Sequence, residues 1–124
     1  MIKKLILTML ITLSIIPVSV YSLSSINAAS LSKQCHTVSQ KLAEIRLIQR
    51  DESCISILED AVKDTELAAQ YLEDEAYHAA KNYLNYANNG LKYALIIGCE
   101  NSLEIDVAKS ELLEINGQIV EILR

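Results

Sequence analysis

The chain has no Trp and no Phe, a single Pro and only three Gly. So little Gly and Pro excludes collagen-like and low-complexity chains, and 51% hydrophobic residues excludes a disordered one. A basic excess is also missing. The formal charge of −5 argues against a nucleic-acid partner. Two His and three Cys leave few parts for a metal enzyme or a nucleophilic triad. There is no GxSxG element and no Gly-rich phosphate loop. The expectation is a protein that is not an enzyme, with no catalytic residue, metal ligand or cofactor. At 124 residues the length allows one domain.

Residues 1–28 read as a secretory signal peptide. Lys3 and Lys4 supply its positive start, and Leu5 to Ile16 form an uncharged, mostly apolar run. Pro17 then breaks the helix, and small and polar residues follow. Small-x-small cleavage fits after Ser22 or after Ala28, and Ala28 is the preferred site. The apolar run is shorter than the ~20 residues of a membrane-spanning helix. The expected protein is therefore exported, periplasmic or secreted, with no membrane span once the signal is cut. Residues 29–124 form its single domain. They carry 9 basic residues against 16 acidic, a net −7, and no Pro.

A Pro-free chain rich in Leu, Ala, Glu, Ile and Lys favours helix, and its apolar periodicity agrees. Leu31, Cys35, Val38, Leu42 and Ile45 make one stripe on a first helix, about 31–50, with Ser30 as its N-cap. The stripe fails at Arg50 to Ser53, which places a break at Asp51. A new register runs from Ile55 through Leu58, Val62, Thr65 and Ala69 to Leu72. After the polar Glu73-Asp74-Glu75, a third stripe includes Ala80, Leu84, Ala87, Leu91 and Ala94. Asn88-Asn89-Gly90 is a point where this helix bends or stops early, and Leu91 to Ile97 could also read as a strand. Gly98 is placed to end it. Asn101 and Glu104 have the spacing of a capping box, and a last helix carries Ile105, Ala108, Leu112, Ile115, Ile119 and Ile122. Short connections between four such helices imply an all-α, antiparallel bundle.

The segment from Tyr71 to Ala87 resembles one tetratricopeptide-type helix pair. Ala68 and Tyr71 match the small and aromatic residues before that family's turn. Tyr77, Ala80, Leu84 and Ala87 match the residues after it, in order and spacing. Lys92 stands where the family has Pro, and Asp64 where it prefers an apolar residue. No second copy occurs. The resemblance covers residues ~64–90; it implies a tightly packed helical hairpin and hints at a protein-binding role.

Export permits a disulfide. In an up-and-down bundle the chain turns near Asp74, and this brings Cys54 and Cys99 to the same end, with Cys35 at the other. The expected bond is Cys54–Cys99. Cys35 is then a buried thiol on the seam, or it links two chains into a homodimer.

Glu75 and His78 have the i, i+3 spacing of carboxylate-bridged metal bundles. The second pair such a site needs is missing, since Lys33 precedes the only other His, His36. They are read as surface residues. Five tyrosines lie between Tyr71 and Tyr93, and Tyr83, Tyr86, Gly90 and Tyr93 form a ridge beside the third stripe. Tyr is enriched in binding hot spots, so Tyr83, Tyr86 and Tyr93 are the candidate binding residues. Packing on a neighbouring helix is the other reading. The expected function is protein–protein interaction with an unidentified partner. The alternatives are an inhibitor, immunity or chaperone-like protein that binds a basic partner, and a metal carrier or envelope enzyme.

Overall fold

The computed structural model describes residues 27–124. They form α1 (Ala28–Leu47), α2 (Glu52–Glu73), α3 (Tyr77–Ile97) and α4 (Ser102–Leu123). There is no strand among the described residues. Each helix packs against the next, and α4 closes the bundle against α1. The signal-peptide reading lies outside the described residues, apart from its last two, Asn27 and Ala28.

The helix ends follow from local chemistry. Asn27, not Ser30, caps α1: its Oδ1 accepts from Ser30 N at 2.9 Å. The helix therefore starts three residues earlier than expected, and Ala28 is buried. Asp51 caps α2 as expected, accepting from Cys54 N at 3.1 Å. The α2–α3 and α3–α4 connections open with the same device. Ala76 N donates to Tyr71 O at 2.8 Å, and Cys99 N donates to Ala94 O at 3.0 Å. These are the 6→1 bonds of Schellman motifs, whose central residue takes positive φ. Gly98 fills that place after α3, with φ 81°, and Glu75 fills it after α2, with φ 57°. Asn101 does not act as a capping box. It has φ 65°, and its side chain donates to Glu104 Oε2 at 2.8 Å instead of accepting from a backbone amide.

The expected stripes supply most of the core. Leu31, Leu42, Leu58, Leu72, Leu84, Leu91, Ile105, Leu112 and Ile119 are fully buried. Ile55, Val62 and Ile122 are only half-buried. Ala61, Ala68 and Ala69 on α2 and Ala80, Ala87 and Ala94 on α3 are buried in the same core, and small side chains let two helices approach closely. Helix α3 runs through Asn88-Asn89-Gly90 and Leu91 to Ile97 without a break. Asn88 is 8% exposed, and neither Oδ1 nor Nδ2 has a hydrogen-bond partner. Burial of the surrounding apolar residues outweighs that loss, because an intact helix keeps Leu84, Leu91 and Ala94 in register.

Cys54 and Cys99 are bonded, with Cα atoms 5.6 Å apart and a sequence separation of 45. The bond fastens the end of the bundle where α1 and α3 finish and α2 and α4 begin. Gln49 adds a second tie there. Its Nε2 donates to Glu100 O at 2.8 Å, and its Oε1 accepts from Glu100 N at 3.0 Å.

Candidate binding face

Tyr83, Tyr86 and Tyr93 do not share one environment. Tyr83 is half-buried and stacks on Tyr71 of α2, with ring centroids 5.4 Å apart. Tyr86 meets Tyr83 edge-on at 5.6 Å and remains 57% exposed. Tyr93 is 53% exposed. It lines a groove of about 390 Å³ with Glu52, Ser53, Ser56 and Ile57 of α2. Tyr83 therefore packs on a neighbouring helix, while Tyr86 and Tyr93 present their rings to solvent.

The ridge is longer than the tyrosines alone indicate. Residues 83, 86, 90, 93 and 97 repeat at spacings of three and four. Ile97 extends the stripe and is 40% exposed. This second apolar seam lies about a quarter turn from the core seam of α3. On α2, Ser53 and Ile57 meet its upper part and Tyr71 its base; Asp60 and Asp64 fall between them on the same helical face by their spacing. A Cβ at Gly90 would lie 3.9 Å from Ile57 Cγ2, so the groove floor is in van der Waals contact there.

Leu47, Ile48, Ile96, Leu103 and Val107 are also exposed toward the disulfide end. Val107 lies on another side of the bundle, where it lines a groove with Lys41, Glu44 and Ile45 of α1. Sequence periodicity missed the exposed residues because each lies off its helix's core seam. The doublets Leu47-Ile48 and Ile96-Ile97 were the available signal, since a one-sided helix has no core place for both members.

Charge divides α2 along its length. On the side facing α1, Glu59 pairs with Arg46. His36 lies between Glu66, at 2.9 Å from Nδ1, and Glu73, at 3.4 Å from Nε2. The Glu66 hydrogen bond, more than any other contact, raises the His36 pKa above its ordinary value. On the side facing α3, Glu52, Asp60 and Asp64 make no ion pair among the described residues. Helix α3 has no acidic residue and only Lys81 and Lys92 as permanent cations. Burial, followed by the charge of Asp60, pushes the Asp64 carboxyl up, and Lys63 offsets this in part.

The remaining candidates do not converge on a site. The two carboxylates at His36 hold opposite ring nitrogens, so all three groups cannot close on one ion. Glu75 sits in the turn before α3, so it and His78 do not form a helical i, i+3 pair. No group of three His, Cys, Asp or Glu side chains is arranged to hold a metal among the described residues. One spacing that the motif reading overlooked is an SxxK, Ser30 to Lys33; both residues are exposed on the first turns of α1, and Ser30 Oγ accepts from Gln34 Nε2 at 3.4 Å. Cys35 is fully buried, and burial pushes its thiol up to about 12. A thiol that stays protonated and covered is not placed to link two chains, so the buried alternative describes it. None of the described helices is long and apolar enough to cross a membrane.

No protein-family model, curated protein or solved structure matches the chain.

Proposed function

We propose that this is a small exported protein without enzymatic activity, which works by binding another protein through the outer face of α3. The observation that carries this reading is the exposure of Tyr86 and Tyr93 on a rigid support. Tyr86 leans on Tyr83, which is stacked on Tyr71, and the disulfide fastens the end nearest Tyr93. A pre-ordered aromatic side chain loses little conformational entropy on binding, which is why such residues serve as anchors. The charged start and apolar run of residues 3–16, together with a disulfide suited to an oxidising compartment, support export.

The test is affinity capture with the exported protein from an envelope extract, comparing wild type with Tyr86→Ser and Tyr93→Ser. Specific partners should be lost from both variants while helicity is unchanged. Identical capture by all three proteins would contradict the assignment.

A further inference from the structure

We propose that the α2–α3 groove docks a cationic amphipathic helix. Its apolar side would rest on Tyr86, Tyr93 and Ile97, and its Lys or Arg side chains would reach Glu52, Asp60 and Asp64. The proposal rests on the binding reading above and names the chemistry of the partner.

Spacing selects a helix. The solvent-facing seam of α3 repeats at three and four residues, the pattern that receives knobs from another helix. Gly90 lies against Ile57 of α2, so the partner's apolar side would rest on the exposed rings of Tyr86 and Tyr93 that flank it. An extended strand repeats every two residues and would match only part of the seam.

Charge selects a cationic helix. The acids of α2 that face α1 are met by His36 and Arg46. Glu52, Asp60 and Asp64, on the other side, make no ion pair among the described residues, and Glu52 lines the groove with Tyr93. Asp60 and Asp64 stand one turn apart, a like-charge spacing that destabilises a helix, and no cation from α3 relieves them. A partner's Lys or Arg would do so. The same cations can lie over the Tyr86 and Tyr93 rings, which attract positive charge through their faces. A second copy of the chain fits poorly, because it would bring the same unpaired carboxylates to the contact. An anionic bilayer surface would repel them.

The probe is a synthetic Leu/Lys helix of about 18 residues, five turns long, carrying one Trp. The protein has no Trp, so the probe's fluorescence reports binding alone. Controls are a scrambled peptide of the same composition and a Leu/Glu helix. The Leu/Lys helix should bind at least about tenfold more tightly than either control, and the affinity should fall steeply with salt. The double variant Asp60→Asn, Asp64→Asn should lose about tenfold in affinity and flatten the salt dependence. Because Asp64 is a strained carboxylate, that variant should fold at least as stably as wild type. Equal binding of the scrambled peptide, or unchanged affinity of the double variant, overturns the proposal. If the tyrosine variants lose their captured partner while the Leu/Lys helix does not bind, only the cationic-helix inference falls. Failure of both experiments removes the binding face itself.

Discussion

The ring of Tyr83 lies against that of Tyr71, with centroids 5.4 Å apart and planes 14° from parallel. Through this contact α2 holds the base of a ridge whose upper residues belong to α3. Tyr71 is thus a positioning residue for Tyr83 and, through Tyr83, for Tyr86. Tyr71→Phe should keep both stability and partner binding. Tyr71→Ala should lower stability by about 1–3 kcal/mol in urea unfolding, and it should weaken partner capture although Tyr71 itself is half-buried. Unchanged capture by Tyr71→Ala would remove its positioning role.

The Cys54–Cys99 bond closes a loop between residues 45 apart in sequence. In the chain-entropy account that restraint contributes about 4 kcal/mol. The double variant Cys54→Ala, Cys99→Ala should lose a large part of this in denaturant unfolding, and reductant should lower the wild-type midpoint to match. Cys35 should resist alkylation in the native protein and react only on unfolding.

His36 should give the fold a pH dependence near neutrality. Glu66 and Glu73 of α2 face it, and its folded pKa is raised. Its stabilising contribution is complete below the ordinary imidazole pKa of about 6.5 and is lost as pH rises through the higher folded value. Stability should therefore decline as pH rises from about 6.5 through the folded value. The ring is 40% exposed, so the effect should stay below about 1 kcal/mol and shrink in salt. His36→Gln should flatten this part of the profile.

Asn88 is a polar side chain in an apolar position. Replacing it with Leu, which has nearly the same shape, removes two unpaired polar atoms from the interior. Asn88→Leu should raise stability by about 1–2 kcal/mol, measured as a higher midpoint at unchanged m-value. A lower midpoint would show that Asn88 is better satisfied than its surroundings indicate.

The helices and the disulfide were legible in the sequence because both rest on repeated signals. The polar gap at Glu73 to Glu75 turns the chain midway between Cys54 and Cys99, and that reversal decides which cysteines meet. Single-residue features were harder to read. Glu75 takes the left-handed place that Gly usually marks, so the end of α2 had no glycine to signal it. Asn27 caps α1 because its side-chain oxygen reaches Ser30 N, while Ser30 lies too far inside the helix to do so. The candidate site was legible only in part. Tyr83, Tyr86 and Tyr93 stand out by composition, but a ridge read along one helix does not show what the next helix covers. Tyr71 covers part of Tyr83, whereas Ser53 and Ser56 opposite Tyr93 are too short to cover it. The exposed Leu47, Ile48, Ile96, Leu103 and Val107 come from different elements, and no single stripe contains them.

The most direct test of the binding face is photo-crosslinking in the producing cells, with a benzophenone side chain placed in turn at Tyr86, Tyr93 and Leu113. Leu113 on α4 is 51% exposed, close to the other two, so it controls for exposure alone. Discrete adducts of one size should form from positions 86 and 93 and not from 113. Adducts from 113 with none from α3 would contradict the account.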